Sequence, residues 1–552
     1  MQNEFFYLSV ENELHDLGAG FDVSKNISGQ NYLVSNCSES KSEMYAPEVN
    51  FYWKNSQDPE GLKVENLRKL YKARATRFES AQDVESSVRV GKKVAITAST
   101  QTDIAERLKD LGYEVIEVAF DSLSCVRGTL GKFTIAVNND GQDTEVSVDH
   151  IVSTPQNGTA QDIIGMYDLE ALGHEETIKQ IQANSGIFRY KNGVTSDWSK
   201  CLQKGKRVDV CGKCISVCPQ KAISWLGEEL RVEVSHIQCV ACGACVSICP
   251  TGALDYAQLP RDAFSALDIT YIGSISLIVR ENQLPDGEDF DLPAKVLPLA
   301  VEGIGFLDED YLISLIHSSE YPVLIYDSEF TPHQKDCVDL VNNIFKKVYN
   351  VQVVYLCEDN QQISDAASSC SRLLFAVGSS EQSGLTKRER IASRLVDMIA
   401  DGDFGTLEPG KNTPYGTIAI HSETCTLCLS CVEACTVGAL TPHAEDNTLR
   451  FTPSSCVQCG HCQHICPEEN CLTVVYNQLE LNGAYFSDKV MAQDELFACI
   501  ECGEKFAPAK SISKIVTMMT PAFGEDSLRI RSLSCCPDCK AKVMLEDIAA
   551  DI

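Results

Sequence analysis

Cys239-Val-Ala-Cys242-Gly-Ala-Cys245-Val-Ser-Ile-Cys249-Pro250 is the stretch on which the reading of this chain turns. Its spacing is C-x2-C-x2-C-x3-C-P. A loop wrapped around a cubane of iron and sulfide offers three thiolates to neighbouring iron corners, while the fourth cysteine points away to a second cluster. Pro250 fixes its own φ and supplies no donor, which turns the chain away from the site. Gly243 and Ala244 are small enough to let backbone amides approach the sulfurs, and such amides help to set the reduction potential.

Two such runs make one two-cluster module, and the chain holds four runs. The partner of the first is irregular: Cys201 precedes Cys211-Gly-Lys-Cys214-Ile-Ser-Val-Cys218-Pro219, so one interval has widened from two residues to nine. Cys201 is expected to remain a ligand; the alternatives are a stray thiol with Asp209 completing the site, or a three-iron cluster. The other two runs are regular, Cys425, Cys428, Cys431 and Cys435 followed by Cys456, Cys459, Cys462 and Cys466, with Thr436 where a proline is expected. The crossed arrangement groups Cys201, Cys211 and Cys214 with Cys249; Cys239, Cys242 and Cys245 with Cys218; Cys425, Cys428 and Cys431 with Cys466; and Cys456, Cys459 and Cys462 with Cys435. Zinc also uses C-x-x-C, but zinc sites rarely string four cysteines in this order before a proline.

These motifs, with the trailing Thr251-Gly-Ala-Leu254 and Val437-Gly-Ala-Leu440, resemble the bacterial-type two-cluster ferredoxin family. The resemblance covers about 50 residues in each module. It implies a pseudo-twofold fold of β-hairpins and short helices around each pair of 4Fe-4S clusters. Taken whole, the chain resembles a cytoplasmic polyferredoxin, an association that extends to formate dehydrogenase systems by general likeness and not by any motif.

Near the C-terminus, Cys499-Ile-Glu-Cys502-Gly503 and Cys535-Cys536-Pro-Asp-Cys539 read as a zinc-ribbon-like segment. Cys499, Cys502, Cys536 and Cys539 would make a tetrahedral S4 site for one zinc ion, with iron the competing metal and Cys535 able to replace Cys536. Seven cysteines remain, Cys37, Cys125, Cys337, Cys357, Cys370, Cys471 and Cys535; most read as small buried apolar residues. His461 and His464, inside the last cluster run, read as surface or hydrogen-bonded histidines, with tuning of a nearby cluster as the alternative.

The 552 residues exceed what one core can bury, so several domains are expected. Formal net charge is −31, which repels phosphate backbones and argues against nucleic acid as a partner. The N-terminal Met1-Gln2-Asn3-Glu4-Phe5-Phe6 lacks the basic and apolar regions of a signal peptide, no twin-arginine signal is present, and no apolar run is long enough to span a bilayer. The expected setting is cytoplasmic and reducing, without membrane insertion.

The fold class read from the pattern is α+β and α/β multidomain: two ferredoxin-like modules, each preceded by a small α/β domain, and the C-terminal cysteine segment. The boundaries are 1–88 for an N-terminal region, 89–185 for a small α/β domain, 195–260 for the first module, 268–405 for a second α/β domain, 415–480 for the second module and 490–552 for the C-terminal segment. Residues 65–85 read as a helix whose Arg68, Lys69, Lys72, Arg74 and Arg77 form a solvated basic face. In the first α/β unit, a strand (93–97), a helix (102–111), a strand (114–120) and an alternating stretch (133–148) split by a turn at 138–141 are expected. Residues 282–293 read as a linker. A strand at 322–326, a helix at 333–347 and a strand at 351–357 read as a repeat of the first unit, with 372–378 echoing 149–158; a helix at 387–400 follows.

No Gly-rich phosphate-binding motif follows either first strand, so these units read as scaffold. The function expected is single-electron relay through four 4Fe-4S clusters between a donor and an acceptor oxidoreductase, formate dehydrogenase included, with catalysis left to the partners. The alternative is an iron-sulfur and zinc assembly or redox-sensing accessory protein.

Overall fold

A computed structural model describes the chain except for residues 1–2, 10–14, 98–101, 119–122, 140–141, 154–162, 208, 285–289, 374–383, 525–526 and 551–552. The expected turn at 138–141 and the echo between 149–158 and 372–378 fall partly outside the described residues.

Three parallel four-stranded sheets recur, each with its strands in the spatial order second, first, third, fourth. The first, which the sequence reading did not anticipate, is built from Phe5–Leu8, Phe21–Ser24, Tyr32–Ser35 and Ser42–Tyr45. Helices Pro47–Asn55 and Glu60–Ser80 follow. The second helix starts and ends earlier than expected, because Pro59 stands at its N-cap and Ala81 leaves in extended backbone.

That helix also corrects the reading of its charges. Arg74 and Arg77 are 3% and 5% exposed, not solvated. Arg74 Nε donates to Glu48 Oε1 at 2.8 Å, its other nitrogens meet Glu48 and Glu281, and Arg77 donates to the Ala300 carbonyl. The helix lies between the N-terminal sheet, where Tyr71 packs on Phe5 and Phe21, and the second α/β domain, which supplies Glu281 and the Ala300 carbonyl to the cations, so sequence order and spatial order diverge: the N-terminal region lies on a domain some 200 residues away. Phe51 meets Phe290 ring to edge at 5.1 Å, and Ser56 bridges Leu292.

The first α/β unit carries parallel strands Lys93–Ile96, Glu114–Glu117, His150–Ser153 and Met166–Asp168. The alternating stretch forms the expected hairpin, Phe133–Asn139 with Gln142–Val148, extended by Leu123–Arg127. Asp168 caps the helix Leu169–Asn184 by accepting from the Glu170 and Ala171 amides. The unit has its own cores, around Val94, Ile104, Leu108 and Ile181 on one side and Phe133, Ile135 and Val148 on the other. Antiparallel strands Glu85–Val90 and Gly186–Lys191 bring its entry and exit together.

The third sheet contains Ile275–Arg280, Val296–Val301, Val323–Tyr326 and Val354–Cys357. Residues 282–293, read as a linker, therefore lie between two paired strands inside a domain. The supposed repeat is also out of step: the Lys93 strand is first in its sheet, whereas the Val323 strand is third. The two units share a sheet order, but a hairpin joins second to third strand in one and the helix Glu309–Ser319 does so in the other. Among the described residues no helix is long and apolar enough to cross a membrane.

One continuous apolar core joins the N-terminal region, the first cysteine module and the second α/β domain, through Tyr71, Val246, Tyr256, Leu277, Phe306 and Ile316. The second module keeps a separate core around Ile418, Leu440, Phe451 and Leu472.

Two outcomes follow. Arg74→Met strands Glu48, itself 4% exposed, without its cation, and should destabilise the chain by about 3–5 kcal/mol, read as a lowered unfolding midpoint in denaturant. In the first α/β unit, His150 is fully buried between the Tyr167 hydroxyl and the Ser185 hydroxyl, and burial pushes it down to about 4. The unfolded imidazole takes up a proton near pH 6.5 and the folded one resists until about pH 4, so stability is complete above 6.5 and falls by up to about 1.4 kcal/mol per pH unit below it. Amide-exchange protection in this unit, corrected for intrinsic rates, should decline over that window, and His150→Gln should flatten the decline.

Candidate metal centres

Each cysteine module is a pair of hairpin-like strand pairs with two short helices packed together. In the first, Val194–Ser196 pairs with Leu254–Tyr256 and Ile223–Leu226 with Arg231–Val234, around helices Lys213–Val217 and Ala244–Ile248. In the second, Gly416–Ile420 pairs with Leu472–Tyr476 and Leu440–His443 with Thr448–Phe451, around Ser430–Ala434 and His461–Ile465.

Three of the four runs wrap identically. Two residues in each take left-handed backbone: Ala241 and Gly243, Leu427 and Leu429, Gln458 and Gly460. That conformation turns successive amides toward the enclosed space, and the amides of Ala241, Leu427 and Gln458 donate to Cys239, Cys425 and Cys456. The irregular run lacks it, since Gly212 has φ −137°. There Cys201 is reached instead by the amides of Gln203 and Lys204. The widened loop is closed by the Gln203 side chain, whose oxygen accepts from the Val210 and Cys211 amides at 2.9 Å each.

The sixteen cysteines gather into four groups. Cys201, Cys211, Cys214 and Cys249 line one cavity, Cys218, Cys239, Cys242 and Cys245 a second, and Cys425, Cys428, Cys431 and Cys466 a third. In the fourth group, Cys456, Cys459 and Cys435 all act electrostatically on Cys462. The fourth cysteine of each run thus crosses to its neighbour's group. Asp209 is exposed and does not line the Cys201 cavity.

Burial, with like-charged neighbours adding to it, pushes Cys214, Cys431 and Cys462 up to about 12. Four thiolates cannot share such a space without a compensating cation; iron supplies that charge.

Glycines let the second α/β domain press on the first module. A Cβ on Gly303 would lie 2.7 Å from the Ala241 carbonyl oxygen, one on Gly305 2.5 Å from that of Cys242, and the Gly305 amide donates to the Cys242 carbonyl at 2.9 Å. Behind Cys249, fully buried charges interlock: Arg261 with Asp308 at 2.8 Å and Asp310 at 3.0 Å, and Lys387 with Asp308 at 3.1 Å. Lys387 Nζ also donates to the Ser247 carbonyl at 2.9 Å and the Cys249 carbonyl at 3.5 Å. Nothing in the sequence distinguished Lys387 from a surface lysine at the start of a helix.

Lys206 of the widened loop lies near enough to the second module to act electrostatically on Cys459 and His461. His461 is only partly buried, and burial ahead of Lys206 and His464 moves it below its ordinary value.

At the C-terminus, the sulfurs of Cys499, Cys502, Cys536 and Cys539 all lie within 4.8 Å of one another, with Cys502 and Cys536 at 3.6 Å. A tetrahedral zinc with Zn–S of about 2.3 Å requires sulfurs roughly 3.8 Å apart, so the set fits one ion. Cys499 and Cys502 sit in the turn between Leu496–Ala498 and Lys505–Pro508. The second pair departs from a ribbon: Cys536 and Cys539 lie at the start of the helix Pro537–Ala550, not in a second hairpin. Burial opposes ionisation of Cys499, yet the amides of Cys536, Cys502 and Glu501 bring it down to about 6. Cys535 turns its sulfur to the Arg531 carbonyl at 3.3 Å and stays outside the four.

Of the remaining cysteines, Cys337, Cys357, Cys471 and Cys535 are buried, Cys37 and Cys370 are partly exposed, and the Cys125 side chain lies outside the described residues. Cys471 is more than core filling: it lines the cavity of Cys425 and Cys466 and interacts with both sulfurs.

Residues 209–253 match a family model described as a 4Fe-4S dicluster domain, and residues 417–467 match another of the same description. The first match begins after Cys201. No curated protein matches the chain. The chain therefore carries two ferredoxin-like iron-sulfur modules, whose general role is electron transfer through redox partners.

Proposed function

We propose that this chain is a polyferredoxin that relays single electrons through four 4Fe-4S clusters between a donor and an acceptor oxidoreductase. The observation that carries the reading is the gathering of sixteen cysteines into four crossed groups of four, all but Cys201 inside the two matched stretches. Each bound cluster would take up and pass on one electron. The chain's own residues position the clusters, exclude water from them and donate backbone amides to their sulfurs.

Electrostatic influence between neighbouring groups supports an order for the relay. Cys245 interacts with Cys214, Lys206 with Cys459, and Cys462 with Cys431. The group of Cys218, Cys239, Cys242 and Cys245 therefore stands at one end and that of Cys425, Cys428, Cys431 and Cys466 at the other. Cys428 is exposed, which gives the latter end an opening to a partner. The likeness to formate dehydrogenase systems makes such an enzyme a first candidate for donor or acceptor, in a cytoplasmic setting.

The C-terminal S4 set is proposed to hold zinc with a structural role. It anchors the helix Ala509–Phe523, whose Lys510 donates to the Ser422 carbonyl at 2.7 Å and whose Lys514 pairs with Glu468, two residues beyond Cys466.

Anaerobic purification with iron, sulfide and zinc analysis tests the inventory: about sixteen irons and one zinc are expected. Cys201→Ser should lose one to four of those irons and leave the other spectra intact; unchanged iron would remove Cys201 from the ligands. Cys499→Ser should release the zinc and Cys535→Ser should retain it. In an EPR-monitored titration, Lys387→Met should lower the midpoint of a single cluster, because a cation beside the Cys249 loop favours the reduced form, while Lys387→Arg should leave it in place.

A further inference from the structure

Between Asp197 and Lys213 the chain concentrates five cations, Lys200, Lys204, Lys206, Arg207 and Lys213, against two carboxylates, within a protein whose formal net charge is −31. The concentration falls on the widened interval that sets this run apart from the other three. Lys204 and Arg207 are exposed, Lys206 is partly so, and none of the three forms an ion pair among the described residues. Lys200, by contrast, is paired with Asp197.

The loop is held in shape rather than draped. Leu202 and Gln203 are buried, Gln203 staples the loop's two arms, and the Gly205 amide donates to the Leu230 carbonyl at 2.9 Å. The nearby turn adds Glu228 and Glu229, the latter paired with Arg231, and Asp209 is exposed on the loop itself. The cations still outnumber these carboxylates' free charge. Cys201 and Cys211 bound the loop, so the lobe lies directly beside the first central cysteine group, and Lys206 is near enough to the second module to act electrostatically on Cys459.

We propose that this basic lobe is the docking site of a small acidic electron-carrier protein that exchanges one electron with the central clusters. In a chain of net charge −31 an anionic carrier is repelled overall, and the lobe attracts it beside Cys201 and Cys211, where the distance to a cluster is short; charge complementarity of that kind governs encounter and orientation more than affinity. In the exchange no bond forms or breaks: the carrier's reduced cluster loses one electron and a cluster at the seam gains it. The inference rests on the four-cluster relay reading.

The test is anaerobic stopped-flow reduction of the full-length, cluster-loaded protein by two donors: a reduced acidic two-cluster ferredoxin and the methyl viologen radical cation. For R207E, which spares Lys204 beside Cys201 and Lys206 near Cys459, the second-order rate with the ferredoxin should fall at least about threefold at low salt and lose part of its salt dependence. Iron content and the viologen rate should hold or, for the rate, rise. An unchanged ferredoxin rate, or an equal loss with both donors, would overturn the docking site. A wild-type dimer that dissociates in R207E would reassign the lobe to a second copy of this chain. Failure of the viologen radical to reduce any cluster would sink the relay reading itself.

Discussion

Mutual repulsion among thiolates crowded into partly buried pockets is the constraint on which this structure depends. Each group of four sulfurs is surrounded by apolar side chains and short helices, and a thiolate there is unfavourable without a cation at its centre. Cluster binding and the folding of each module are therefore one process, as for structural metal sites generally. Crossing the fourth cysteine to the neighbouring group locks both clusters of a module into a single folding unit. The modules differ in what supports them. The first shares a core with the N-terminal region and the second α/β domain, whose Gly303 and Gly305 let backbone press on backbone at Cys242. The second relies on its own core and on the C-terminal helix at Glu468.

Charge is distributed with the same economy. The buried lattice of Arg261, Lys387, Arg390 and Arg394 with Asp308, Glu309 and Asp310 places cations behind Cys249. Arg261 and Lys387 hold Asp308 well below the usual carboxylate range against the upward push of burial. Such networks do not on their own argue for stability, but this one touches the carbonyls of the cluster loop.

The cysteine modules were legible in the sequence because the constraint acts locally: ligand spacing, the small residues between ligands and the prolines all lie within a dozen residues. Element types in the first α/β unit and the hairpin at 133–148 followed from periodicity. The failures were nonlocal. The N-terminal sheet uses four-residue strands, too short for a periodic signal. Strands Ile275–Arg280 and Val296–Val301 are buried on both faces and do not alternate; Pro298 within the second argued further against a strand. Arg74 and Arg77 looked like solvent-facing charges because Glu48, Glu281 and the Ala300 carbonyl are remote in sequence. The left-handed pairs that wrap three cysteine runs include Leu427, Leu429 and Gln458, residues that carry no propensity signal for that backbone.

The central claim is that the clusters of the two modules form one relay across the seam at Lys206. EPR of the fully reduced protein tests it directly, compared with two variants in which the eight cysteines of one module at a time are replaced by serine. One relay predicts that the spectrum of the intact protein shows magnetic coupling absent from the sum of the two variant spectra. A spectrum equal to that sum, with both variants loaded to about half the iron, would contradict it and leave two independent carriers on one chain.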